Sequence, residues 1–100
     1  MVTFEVIFRK RASSELDRAF KIYEKERVGL GSEFIEELDE YLDELETRPK
    51  SFRVIVKNYR IAVMQRFPFE IFFFIDKQKV VIANIFHTSR RPLRKYLAGK

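Results

Sequence analysis

The 100-residue sequence has no cysteine, no tryptophan, three glycines, three prolines and one histidine. Without cysteine there is no disulfide framework, no thiolate-held zinc or iron–sulfur centre and no thiol nucleophile, and the lack fits a reducing compartment. Acid is scarce in the second half, where Glu70 and Asp76 are the only carboxylates after residue 47. A single histidine with so few carboxylates near it in sequence builds no metal site, so neither metal nor cofactor is expected. The longest apolar run is Ile71–Ile75, far short of the ~20 residues that span a bilayer. The N-terminus shows no charged leader followed by an apolar stretch, so no secretion signal is read there. Repeats, low-complexity tracts and linkers are missing too. These absences lead to an expectation of one cytoplasmic domain over residues 1–100, with no membrane partner.

What the chain does hold is core material and segregated charge. Apolar residues make up 46% of it, and phenylalanine occurs 11 times, enough for one hydrophobic core without staples. Residues 1–47 carry 7 Lys/Arg and 13 Asp/Glu, whereas residues 48–100 carry 13 Lys/Arg and 2 Asp/Glu. A split of this kind points to an acidic or phosphate-rich partner on one side of the molecule. The plainer reading is a solvated surface with internal ion pairs.

The pattern predicts an α+β fold. Val2–Phe8 is β-prone and reads as a first strand. Lys10-Arg11-Ala12-Ser13-Ser14 supplies N-cap candidates for a helix whose stripe is Ala12, Leu16, Ala19, Phe20 and Tyr23. Gly29-Leu30-Gly31 ends it, and Ser32 is the candidate cap of a second helix with Phe34, Ile35, Leu38, Tyr41, Leu42 and Leu45 on one face. The other face of that helix holds eight carboxylates (Glu33, Glu36, Glu37, Asp39, Glu40, Asp43, Glu44 and Glu46) and no basic residue, which reads as a solvated face. Pro49 follows it. The strands Phe52–Val56, Tyr59–Gln65, Phe69–Ile75 and Lys79–Phe86, with short separators, predict an antiparallel meander. The expected architecture is an N-terminal strand and an antiparallel helix hairpin on one face of a mainly antiparallel sheet of four to five strands. A short basic C-terminal tail or helix completes it.

Chemistry is sought in the basic half. Strand alternation from Tyr59 to Gln65, extended by one residue, puts Arg60 and Arg66 on one face with Ala62 and Met64. If that face lies opposite the helices, it is a cationic surface on which a phosphodiester can rest, with Arg90 and Arg91 converging on it from beyond the last strand. Arginine's planar fork suits phosphate oxygens and the charge that builds during phosphoryl attack, and His87 or Tyr96 can move a proton. The alternative is that Arg60 and Arg66 simply face solvent and that His87 is structural. Phe72 and Phe74 are candidates for an exposed partner surface.

Several segments together resemble the RelE/ParE superfamily of toxins, the plasmid stabilisation proteins of bacterial type II toxin–antitoxin pairs. They are Ala12 and Leu16 in the first helix, Tyr23-Glu24 through Gly29-Leu30-Gly31 to Phe34 at the helix junction, and Pro49 after the second helix. Tyr59-Arg60-Ile61, Arg66-Phe67-Pro68-Phe69-Glu70-Ile71 and His87-Thr88-Ser89-Arg90-Arg91-Pro92 complete the set, with Phe69 where the family has tyrosine. The resemblance implies a toxin neutralised by a small, acidic-tailed antitoxin, as a homodimer or a toxin–antitoxin hetero-oligomer. It implies one of two targets. RelE-like relatives are mRNA interferases that cleave message in the ribosome without a metal. On that branch Arg60, His87, Arg90, Arg91 and Tyr96 are the catalytic candidates, and Arg53, Lys57, Arg66, Arg94 and Lys95 the nucleic-acid-binding ones. ParE-like relatives inhibit DNA gyrase without catalysis. A third alternative is a member that binds only its antitoxin.

Overall fold

The computed structural model describes residues 2–88. Strand β1 is Glu5–Phe8, and helices α1 (Lys10–Glu26) and α2 (Leu30–Thr47) follow. A 3-10 turn at Pro49–Ser51 leads into β2 (Arg53–Val56), β3 (Tyr59–Val63), β4 (Phe69–Asp76) and β5 (Lys79–His87). The sheet order is β1-β5-β4-β3-β2. Strands β2 to β5 form the expected antiparallel meander, and β1 joins it parallel to β5, with Glu5 opposite Lys79 and Phe8 opposite Ile82.

The parallel pairing accounts for the helix hairpin. Two parallel strands cannot be joined by a tight turn, so the chain between β1 and the meander crosses over one face of the sheet. Both helices bury their apolar stripes there. Phe34, Leu38 and Leu45 of α2, and Ala12 and Ala19 of α1, meet Ile71, Phe73, Val80, Ile82 and Ile85 of the central strands in one core. Strand β4 buries apolar side chains on both faces, as its sequence predicts, and Glu70 on the same strand is buried as well. Its second face holds Phe72, which with Ile61, Ala83 and Phe86 forms a smaller buried cluster.

Several boundaries differ from the expectation. The first strand is confined to Glu5–Phe8, and the third ends at Val63 instead of Gln65. Helix α1 starts at Lys10, ahead of Ser13 and Ser14, after an extended Arg9 that makes no side-chain cap. An early start is what lets Ala12 reach the core, where it is fully buried. Helix α2 starts at Leu30, so Ser32 lies inside its first turn and does not cap it. The N-cap is Gly29, whose φ of 94° is the left-handed conformation that glycine tolerates best. Glu24 does the capping from a distance, accepting the N–H groups of Gly29 (2.9 Å) and Gly31 (3.0 Å). Gly31 is required for a separate reason. A Cβ there would sit 2.9 Å from the Phe20 ring and its carbonyl oxygen, so the two helices cross at a point where only hydrogen fits.

Candidate functional site

Sequence reasoning directs attention to the end of the sheet where β5 delivers His87 and the Arg66-Phe67-Pro68 segment links β3 to β4. This loop is held by one side chain. Glu37 of α2 is 5% exposed, and its carboxylate accepts the backbone N–H groups of Gln65 (2.7 Å), Arg66 (3.0 and 3.2 Å, one to each oxygen) and Phe67 (3.2 Å). The solvated role expected for Glu37 is therefore wrong. A tight loop turns several N–H groups inward where no strand can meet them, and a carboxylate with two acceptor oxygens satisfies them together. The loop is closed further by Met64 N–H to the Phe69 carbonyl and Phe69 N–H to the Phe67 carbonyl, at 3.0 and 2.8 Å.

Beneath the loop lies an aromatic box. Tyr23, Phe34, Phe67 and Phe69 meet ring to ring with centroids 4.9–6.1 Å apart. His87, opposite Phe69 in the sheet register, adds its ring edge-on to Phe69 at 5.4 Å. Burial pushes the Tyr23 phenol above its ordinary range, with Glu26 adding to the rise. Tyr41 is raised likewise, first by burial and then by Glu37 and Glu44, and donates to the Val63 carbonyl at 3.0 Å.

Arg60 and Arg66, the described arginines of the expected set, do not share an open face of the sheet. Ala62 and Met64 belong to the helix-side core, so the face they share with Arg60 is the covered face, not the open one. Arg60 is turned to the start of β2, where its Nη1 donates to the carbonyls of Phe52 (2.7 Å) and Lys50 (3.1 Å). Arg66 lies beyond the end of β3, its guanidinium 3.3 Å from Glu33 of α2 and 5.7 Å from the centre of the Phe67 ring. Arg60 faces Phe73 across the β3–β4 pair, while His87 faces Phe69 from β5. Four residues along β4 and two strand spacings across put the backbones of Arg60 and His87 roughly 16 Å apart, and the Arg60 guanidinium is taken up by carbonyls on the β2 side of the sheet. Arg53 is exposed on the β2 edge, and Lys57 sits in the β2–β3 turn with a φ of 53°, at the end of the sheet away from His87. Arg90, Arg91, Arg94, Lys95 and Tyr96 lie outside the described residues.

The second face of the sheet is also unlike the expectation. Phe72 is 3% exposed and stacked on Tyr59 at 4.4 Å with the rings nearly parallel, so it is not an open partner surface. Phe74 is half-buried beneath Arg9, whose guanidinium carbon lies 5.0 Å from the ring centre.

Besides Glu37, the sequence reading missed Glu15 and Glu24. In the β4–β5 pairing, Phe72 opposes Asn84 and Phe73 opposes Ile82, which leaves Ala83 as an extra residue. Glu15 meets this bulge, accepting the Ile85 N–H at 2.8 Å and the Asn84 side-chain amide at 3.4 Å. A bulge disrupts the ladder locally and leaves backbone groups to be paired elsewhere. One signal was available for Glu15: it lies close to the apolar stripe of α1, next to Leu16, instead of on the outer face. Among the described residues no group of three His, Asp or Glu side chains is placed to hold a metal ion, and no helix is long and apolar enough to cross a membrane.

With this geometry in hand, the chain compares with known proteins as follows. The family model described as "ParE toxin of type II toxin-antitoxin system, parDE" matches residues 6–92. Eleven chains of solved structures match it. One of them, from the chromosomal ParDE toxin–antitoxin system of P. aeruginosa, aligns with a TM-score of 0.74 at 16% identity, covering 84% of this chain and 95% of that one. At that identity the likeness speaks for a shared fold. No curated protein sequence matches the chain.

Proposed function

The chain belongs to the ParE toxin family of type II toxin–antitoxin systems, and from that premise we propose that it arrests growth by binding DNA gyrase, not by cleaving RNA. Its partner in the resting state is an antitoxin, in a toxin–antitoxin hetero-oligomer in the cytoplasm. The observation that carries the choice of target is the position of Arg60. Metal-free phosphodiester cleavage needs charge stabilisation and proton transfer at one phosphate, within hydrogen-bond reach of each other. Arg60, the strand arginine on which an RNase reading leans, instead gives its guanidinium to two backbone carbonyls at the start of β2, and its backbone lies roughly 16 Å from that of His87. A binding inhibitor needs no such convergence. It needs a rigid scaffold and a basic contact surface, and Arg66, Arg90, Arg91, Arg94 and Lys95 are the residues proposed to supply the contacts.

One observation favours the second reading, in which His87, Arg90, Arg91 and Tyr96 act on messenger RNA. Thr88 N–H donates to the Pro68 carbonyl at 2.8 Å, so the chain enters its arginine-rich segment beside the Arg66 loop. The two readings separate in a paired assay with the purified full chain. Gyrase is expected to lose supercoiling activity and to accumulate cleaved DNA, while message in a translation extract stays intact. Codon-internal cleavage with an unaffected gyrase would reverse the assignment.

A further inference from the structure

Between β3 and β4 the chain runs from Met64 to Pro68 outside any strand, and every backbone N–H on the way has an acceptor. Met64 donates to the Phe69 carbonyl, and Pro68 has no N–H to place. The other three, on Gln65, Arg66 and Phe67, all go to Glu37. Of the eight carboxylates that α2 carries off its apolar stripe, Glu37 alone is buried. One side chain of α2 therefore sets the form of a loop 28 to 30 residues further along the chain.

The loop in turn fixes two things outside itself. It carries Arg66, whose guanidinium lies 3.3 Å from Glu33, one helical turn before Glu37. Its Pro68 carbonyl accepts the Thr88 N–H at 2.8 Å, just before the chain continues into Arg90 and Arg91. A short relay of hydrogen bonds and backbone thus runs from a buried carboxylate, through the loop, to the point where β5 gives way to the basic segment. Phe67, packed between Tyr23 and Phe34, holds the loop at its depth. Ring packing is non-directional, however, and it is the three N–H bonds to one carboxylate that fix how the backbone is oriented.

We propose that Glu37 is a positioning residue for the surface that meets the toxin's target. By holding residues 65–67 it sets the spacing between the Arg66 guanidinium and the start of the arginine-rich segment, and it does so from inside the protein. The identity of the target rests on the gyrase reading above, whereas the link from Glu37 to Thr88 is a property of the free chain. A role in stability alone makes a different prediction. Any core substitution that weakens the fold would then reduce activity in the same way.

The test compares the full chain carrying Glu37→Gln with one carrying Ile82→Val, which trims a fully buried core side chain of β5. The amide of Glu37→Gln keeps one acceptor and turns a donor toward the remaining N–H groups. In NMR spectra of the labelled free chain it should displace the amide resonances of Gln65, Arg66, Phe67 and Thr88. At a temperature where both variants are folded, its half-maximal inhibition of gyrase supercoiling should need about tenfold more protein. Ile82→Val should lower the melting temperature, yet leave the Thr88 resonance in place and the potency within about twofold of wild type. Should Glu37→Gln not fold, hydrogen exchange of the wild-type chain decides. The N–H groups of Gln65, Arg66, Phe67 and Thr88 should then open together, with one urea dependence. Wild-type potency in Glu37→Gln, an unmoved Thr88 resonance, an equal loss of potency in Ile82→Val, or Thr88 opening apart from the loop would each overturn the proposal. A wild-type chain that leaves gyrase untouched overturns the choice of target instead, and the same comparison read by growth arrest still decides the role of Glu37.

Discussion

In the helical half of the chain, Glu15, Glu24 and Glu37 each reach beyond their own helix to accept backbone N–H groups, while in the strand half Arg60 is the one described cation that binds backbone. Arg53, Lys57, Lys77 and Lys79 lie exposed on strands and turns, and Arg66 pairs with a surface glutamate and lies over the Phe67 ring. The asymmetry follows from what this fold leaves unpaired. A hairpin junction, a bulge and a tight loop each point N–H groups inward, and an orphaned N–H is tolerated less well than a carbonyl short of one partner. Carboxylates are the side chains that accept several such donors at once. Acid in this protein is thus partly architecture, whereas most of the described base in the strand half stays at the surface.

The prediction that presses hardest on this contrast is at Glu37. Glu37→Ala would leave three loop N–H groups buried without an acceptor, at about 1–3 kcal/mol each, and partial relaxation should bring the loss to roughly 3–5 kcal/mol. That is a large share of the ~5–15 kcal/mol that holds a typical domain together. Glu37→Gln, which keeps one acceptor oxygen, should fall between the two. Urea denaturation measures both. A loss below about 0.5 kcal/mol for the alanine variant, as at an ordinary surface position, would return Glu37 to the solvated class and break the comparison.

How far the sequence was legible follows the same division. Hydrophobic periodicity correctly gave the helix hairpin, the meander, its placement on one face and the double-sided β4, because period and burial are local properties of each segment. It did not give the parallel pairing of β1 with β5, which depends on chain crossing, or the facing of β3. The alternation that grouped Arg60, Ala62, Met64 and Arg66 was right as far as Met64. Which face that group occupied was decided by Ala62 and Met64 entering the helix-side core. The carboxylates that bind backbone were illegible because the N–H groups they serve lie 28 to 30 residues away for Glu37 and 70 for Glu15. Glu24 was the exception in distance, five and seven residues from its donors, and glycines at 29 and 31 marked the junction without revealing the acceptor.

Arg60 is the point at which the contrast can be sharpened. Arg60→Ala removes two charge-assisted bonds from a half-exposed site and should cost about 1–2 kcal/mol, read as a lower denaturation midpoint. Lysine offers a point charge in place of a planar fork, so Arg60→Lys should recover only part of it. Growth inhibition, measured by induced expression without antitoxin, should decline only as far as folded protein declines. An Arg60→Ala protein of unchanged stability that has lost its toxicity would move this arginine to the functional side of the ledger.

The smallest expected effect concerns Glu33, where the acid of one half meets the base of the other. Its carboxylate is shared between Arg27 at 3.1 Å and Arg66 at 3.3 Å, and both arginine side chains are more than half exposed. Exposed pairs of this kind are worth ~0.2–1 kcal/mol, so a double-mutant cycle on Glu33 and Arg66 should give a coupling in that range that shrinks with salt. The functional readout has the opposite sign. If Arg66 belongs to the contact surface, Glu33→Ala frees its guanidinium and should tighten target binding while costing almost no stability. Equal loss of both would mean instead that the pair holds the Arg66-Phe67-Pro68 loop in shape, and that this cation, like Arg60, serves the scaffold.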